Sequence, residues 1–351
     1  MAGPVTPAGP PQPKKGRKGR PAAAGGSGRG VDPEPAVSPG RAGTEGERGS
    51  PGDTAASRGR PAQREAPGPI PVRKTYKLFI GGAFPRSESG RSYPVTSPDG
   101  ALLAHAAQAS RKDARDAVVA ARQAFAGWAG ATAYNRGQIL YRIAEMLQGR
   151  AAQFAAECAA AEGTSPAAAG QTVAAAIDRW VWYAGWPDKV AQVAGAANPV
   201  AGPYFNFSIP EPAGVVAVVA PAASSLLGLV SVIAPVIATG NTAVVVVASE
   251  AAPLPAVSLA EVLATSDLPG GVVNLLTGRI AELAPVLAAH MDVNALDLTG
   301  VPAAGRAELE RLAAGNVKRV FAAEEDWAAP PGLARMLAFL ETKTVWHPVG
   351  M

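Results

Sequence analysis

From Tyr76 onward, apolar and polar positions recur with the periods of regular structure. Leu78-Phe79-Ile80-Gly81-Gly82 predicts a short strand running into a turn. Ser110-Arg111-Lys112-Asp113 has the spacing of a capping box, and the helix it opens carries Val118, Val119, Ala121, Phe125 and Trp128 on its apolar face. A second helix aligns Ile139, Ile143, Met146 and Leu147 at spacings of three and four. A third covers Gln153 to Ala161, and Ser165-Pro166 caps a fourth through Ile177, Trp180, Val181 and Ala184. Residues 203–216 then alternate, and their prolines confine this edge strand or hairpin to a sheet margin.

The 38 residues from Pro212 to Ser249 contain no charge. A membrane span needs about 20 uninterrupted apolar residues, and Pro221, Gly228, Pro235 and Thr239-Gly240-Asn241-Thr242 break this run. It divides instead into a strand (215–220), a helix (224–238) and a second strand (243–247), the strands buried on both faces. The alternation continues with helices at 254–264, 280–289 and 303–314 and strands at 272–276, 295–298 and 317–321. Five apolar strands joined through helices by right-handed crossovers make an α/β fold with a doubly wound parallel sheet. Ligands on such sheets lie beyond the carboxyl ends of the strands. Those ends are Pro221-Ala222-Ala223, Ala248-Ser249-Glu250, Thr277-Gly278 and Thr299-Gly300.

Charge changes the picture at one end only. The 351-residue chain carries a formal +4, but residues 1–70 hold 11 Lys and Arg against 6 Asp and Glu, and the remainder 21 against 22. Residues 1–70 also contain 13 Pro, 15 Gly and no aromatic residue. Such a segment buries too little apolar surface to offset its ordering entropy, so a disordered basic tail is expected. Lys14-Lys15-Gly16-Arg17-Lys18-Gly19-Arg20 is suited to nucleic acid or an acidic partner, but a solvated tail is the expected reading, and no nucleic-acid contact is expected outside it. No apolar leader follows these charges, so a cytoplasmic protein without membrane attachment is expected. Cys158 is the single cysteine, which excludes an intrachain disulfide and a cysteine-built metal cluster. His105, His290 and His347 are too far apart for a two-histidine helical motif, and no metal site is expected. Cys158 lies mid-helix among alanines, as a small buried hydrophobe does.

Several segments in order resemble the aldehyde dehydrogenase superfamily. They are Glu211-Pro212-Ala213-Gly214-Val215-Val216, Pro221, Ala238-Thr239-Gly240-Asn241-Thr242, Ser249-Glu250, Leu268-Pro269-Gly270-Gly271-Val272-Val273-Asn274 and Thr299-Gly300. Upstream, Leu78–Gly82 and Tyr183-Ala184-Gly185-Trp186 fit the same family, so the likeness runs from about residue 76 to 322. The resemblance implies a Rossmann-like cofactor domain with N-terminal helices and a β oligomerisation arm. It implies NAD or NADP as cofactor, with Pro221, Glu250, Gly300 and Gly305 as the positions kept for it.

The same comparison implies losses. Family chemistry uses a cysteine thiolate, an asparagine at the oxyanion, a glutamate base and the nicotinamide. Here Ala223 stands for the asparagine, Val247 for the cofactor lysine, Val301 for the serine of the phosphate-side turn, and Pro302 removes an amide donor there. The base falls near Ala323, with Glu324 and Glu325 beside it but no Gly-Gly after them, and Cys158 lies far upstream of the nucleophile's place. No catalytic residue is assigned, and cofactor binding is expected to be weak or lost. Phe339-Leu340-Glu341-Thr342-Lys343-Thr344-Val345-Trp346 resembles the family's last strand, so a short linker or helix (323–338) replaces the catalytic domain. The implied organisation is a tail (1–70), a cofactor-type domain (71–322) with a hairpin arm at about 198–212, that linker, and an oligomerisation strand (339–351). With the catalytic domain gone, the arm strand is expected to lack an intramolecular partner and to suit edge addition to another subunit's sheet.

Three functions follow. The first is a non-catalytic subunit paired with a full-length aldehyde dehydrogenase, or with itself. The second is a component of an NAD(P)-dependent aldehyde oxidoreductase whose partner supplies the thiol. The third is a nucleotide-binding or scaffolding module whose tail touches nucleic acid.

Overall fold

The computed structural model describes residues 74–248 and 253–350, so the tail (1–70), Ser249 and Glu250 lie outside the described residues. The chain begins with β1 (Thr75–Tyr76), β2 (Ser92–Thr96) and β3 (Leu102–Ala107), a small sheet in the order β1-β3-β2. Of the short strand running into a turn expected at 78–82, the turn forms and the strand does not. Phe79 makes a lone bridge to Leu275 and Ile80 bridges back to Ala83, because Gly81 and Gly82, at φ +62° and +81°, turn the chain before it can extend.

Helices α1 (Arg111–Gly130), α2 (Ala133–Gln148), α3 (Ala151–Glu162), α4 (Pro166–Ala184) and the short α5 (Val190–Ala194) follow. The capping box at α1 is complete: Ser110 Oγ accepts from the Asp113 amide, and Asp113 Oδ2 accepts from the Ser110 amide at 2.8 Å. Ser165 caps α4 by accepting from the Ala168 amide. Next come β4 (Ala196–Asn198) and β5 (Tyr204–Pro212).

Then the alternation sets in: β6 (Val215–Val219), α6 (Leu227–Ala238), β7 (Thr242–Ala248), α7 (Leu254–Ala264), β8 (Val273–Gly278), α8 (Ile280–Ala289), β9 (Ala295–Asp297), α9 (Ala303–Ala313) and β10 (Arg319–Phe321). The chain closes with α10 (Ala334–Ala338) and β11 (Leu340–Pro348). The helix expected from Ser224 starts later, because Ser224 Oγ is occupied accepting from the Gly228 amide. The last parallel strand starts at Arg319, since Val317 sits in the left-handed region at φ +57°.

The five parallel strands lie in the order β10-β9-β6-β7-β8. Val216, Val218, Val245, Val247 and Leu275 pack with α6 and α7. Val215, Ala217, Val219, Val244, Val246 and Leu276 pack with α1, α8 and α9 on the other face. That period of two is why β6 and β7 are apolar throughout. All twelve residues of α6 are buried between the sheet and α4, which explains the apolar run that resembled a membrane span. No described helix is long and apolar enough to cross a membrane.

Two expectations for the arm need correction. β5 makes the expected hairpin with β4, but it is the middle strand of the sheet β11-β5-β4 and not an edge. Its prolines are tolerated because β4 pairs only with Asn206–Ser208, leaving Pro210 and Pro212 with β11 alone beside them. The C-terminal strand also has an intramolecular partner. β11 runs antiparallel to β5 from Leu340 opposite Pro212 to Pro348 opposite Tyr204, so only its outer edge is left without a described strand.

Candidate functional site

From β6 the chain builds outward through β7 to β8, then returns to lay β9 and β10 on the other side. The strand order therefore reverses between β6 and β9, and a crevice beyond their carboxyl ends is where such sheets bind ligands. Three of the four positions expected to hold a cofactor meet there: Pro221 after β6, and Gly300 and Gly305 around the start of α9. The fourth, Glu250, lies outside the described residues.

The two glycines differ. The Gly300 amide donates to Val219 O at 3.0 Å, and a Cβ there would fall 2.2 Å from Ala220 O and 2.5 Å from Val219 O. Gly300 thus lets the β9–α9 turn lie against the end of β6. Gly305 is exposed in the first turn of α9, where a Cβ would meet only Val301 Cγ1 at 3.3 Å. Gly300→Ala is expected to destabilise by about 2–4 kcal/mol. Gly305→Ala is expected to be neutral or slightly stabilising, by up to about 1 kcal/mol. Urea melts of the two variants check this contrast.

The loop after β6 is tied from both sides. Pro221 packs so closely on α6 that a Cβ on Gly228 would lie 2.7 Å from its Cγ. From α3, Glu162 Oε1 accepts from the Ser225 amide (2.8 Å) and from Ser225 Oγ (2.6 Å). Ala222 and Ala223 are exposed between these anchors and offer no side-chain donor. Val247 and Val301 are buried apolar residues, and Pro302 opens α9 without a side-chain cap. Cys158 is fully buried in α3 with Ser225 Oγ 3.9 Å from its sulfur, and burial pushes the thiol up to about 12.

Beneath the same edge lies a cluster the sequence did not announce. Asp297 at the end of β9 is fully buried and pairs with Arg335 of α10, itself 3% exposed. Arg335 also donates to Thr299 Oγ1 (3.2 Å) and Glu325 Oε1 (2.7 Å), and its guanidinium lies over the Phe321 ring at 4.7 Å. Burial pulls Arg335 down to about 10, so it remains a cation at neutral pH. Desolvation raises the Glu325 carboxyl, with Arg179 partly offsetting it. Arg179 of α4 donates to Trp327 O (2.9 Å), Ala329 O (3.0 Å) and Ser231 Oγ (2.8 Å). Thr299 and Glu325 stood out in the sequence, at a strand end and beside the place of the base, and the signal for the rest was an aspartate inside the apolar Ala295-Leu296-Asp297-Leu298.

A parallel five-stranded sheet with a glycine turn at its reversal defines a Rossmann-like α/β domain. The aldehyde dehydrogenase family model matches residues 84–324, and the chain belongs to that family. Cytosolic 10-formyltetrahydrofolate dehydrogenase of Mus musculus is 33% identical over 259 residues, which cover 72% of this chain and 28% of the relative. Mitochondrial benzaldehyde dehydrogenase of Antirrhinum majus is 33% identical over 264 residues, covering 74% and 49%. Among solved structures, the NAD+ complex of aldehyde dehydrogenase from Bacillus cereus superposes with a TM-score of 0.67 at 28% identity, covering 71% of this chain and 50% of that one. HpcC from Thermus thermophilus gives 0.66 at 32% identity, covering 71% and 48%. The chain thus spans about half or less of the length of these relatives.

Proposed function

We propose that this chain is a non-catalytic member of the aldehyde dehydrogenase family that assembles with a full-length aldehyde dehydrogenase and contributes structure, not chemistry. The observation that carries this reading is the short path from sheet to arm. Eighteen residues, 322–339, separate the end of β10 from β11, where the family resemblance puts a whole catalytic domain. A domain needs at least about 50 residues. Two further features support it. The family's asparagine position is Ala223, and Cys158 is sealed in α3 as a neutral thiol.

A dinucleotide fits the crevice only in part. The start of α9 suits a pyrophosphate only through the amides just after Pro302, because the Thr299, Gly300 and Val301 amides already donate to Asp297 Oδ1, Val219 O and Leu298 O. Val247 and Val301 also replace the polar side chains that the family resemblance puts there. NAD or NADP bound here would supply the hydride acceptor. The chain's own residues do no more than cradle it, so binding by the isolated chain is proposed to be weak or absent.

Assembly rests on the arm. Among the described residues no strand pairs with the outer edge of β11, and Tyr204, Phe205 and Trp346 are exposed on the same small sheet. Co-expression of tagged chain with full-length aldehyde dehydrogenase from the same cell, followed by native mass spectrometry, tests the proposal. A complex of defined stoichiometry is expected. A chain that purifies alone as a stable monomer contradicts it.

A further inference from the structure

The buried cluster at Arg335 joins two parts of the molecule that lie far apart in sequence. One is the turn between β9 and α9. Asp297 Oδ1 accepts from the Thr299 amide at 3.1 Å, its Oδ2 pairs with Arg335, and Arg335 Nη1 reaches Thr299 Oγ1 at 3.2 Å. Gly300, which that turn presses against Val219 and Ala220, is the next residue.

The other part is the arm. Arg335 lies on α10, five residues before β11 begins. Between them Met336 and Phe339 are fully buried, and Phe339 stacks edge-on against Phe321 with ring centroids 6.0 Å apart. Phe339 O accepts from the Ala213 amide (3.1 Å) and Asn241 Nδ2 (2.9 Å), which pins the start of β11 where β5 gives way to β6.

We propose that Asp297, Thr299, Arg335 and Glu325 form a latch that couples the seating of β11 on β5 to the shape of the β9–α9 turn at the switch point. Arg335 is a positioning residue in this latch. Its planar fork meets three oxygen partners on two segments at once, a geometry an ammonium does not reproduce. The pair is dry, so loss of alignment at either end leaves a charge or a hydroxyl unmatched, and the two ends order or loosen together. A partner that takes hold of the arm therefore alters the turn that a dinucleotide would touch, and by linkage an occupant of the turn alters the arm. The inference stands on the intrachain geometry and does not require the proposed assembly with another dehydrogenase.

Amide hydrogen exchange on the full chain tests it. Arg335→Lys keeps the counter-charge for Asp297 but removes the fork. Exchange is expected to quicken by about tenfold both at Thr299–Val301 and at Leu340–Thr344, while Val244 and Val245 in β7 stay unchanged. A second variant approaches from the turn: Thr299→Val, distant from β11, is expected to quicken exchange in Leu340–Thr344. If either variant changes only its own segment, or if β7 quickens in step with both ends, there is no latch and the cluster is ordinary core.

Discussion

Arg335→Met is expected to destabilise the protein by about 3–5 kcal/mol, and Asp297→Asn in the same chain is expected to return most of that loss. The cost depends on which charge is left behind. With Arg335 at 3% and Asp297 at 0% side-chain exposure, neither group has water to fall back on. Truncating the arginine strands a carboxylate in a low-dielectric site. Replacing both removes the stranded charge, and the asparagine oxygen can still accept from the Thr299 amide. Exposed pairs such as Arg311–Glu308 are the contrast, because water screens them and their loss goes almost unnoticed. A double-mutant cycle by urea denaturation reads the coupling directly. Additive single losses with no recovery would mean that the pair is not what holds α10 to β9.

Phe339→Ala carries the next largest cost, about 3–5 kcal/mol. The ring is fully buried against Phe321, in a core that also contains Met336 and Leu340, and the segment around it has few other apolar anchors. Its removal opens a cavity at the point where the arm joins the main sheet. The carbonyl contacts to Ala213 and Asn241 persist but lose the packing that fixes them. Thermal melts are expected to show the loss, with early proteolytic cutting between Phe321 and Leu340. A variant as stable as the parent would show that β5 pairing alone seats β11.

The main sheet was legible because its strands are buried on both faces. Val215–Val219 and Thr242–Ala248 are apolar throughout, and the turn residues between them mark each crossover. The capping box of α1 and the serine cap and proline start of α4 were legible for a local reason, since one side chain bonds one nearby amide. The N-terminal sheet was not, because β2 and β3 mix Tyr93, Pro94 and His105 into an irregular pattern. Pairing partners also escaped. Nothing in Thr342-Lys343-Thr344 says whether the strand adds to its own β5 or to another chain, since both supply the same backbone groups. At the site, the glycines were legible as glycines, but the reason for Gly300, the approach of Ala220 O, needs the tertiary fold. The Arg335 cluster depends on a contact 38 residues apart in sequence, which no periodicity encodes.

As a non-catalytic member of its family, this polypeptide is proposed to supply no sulfur nucleophile. A thiol pushed up to about 12 by burial is in the thiolate form only about once in ten thousand molecules at pH 8. Intact-mass spectrometry of the purified chain, incubated at pH 8 with a reactive aldehyde and NAD+ while NADH absorbance is followed, is the direct test. An unmodified mass, no NADH and no change on Cys158→Ala are expected. Steady NADH production, or an acyl adduct whose mass is lost in Cys158→Ala, would contradict that proposal.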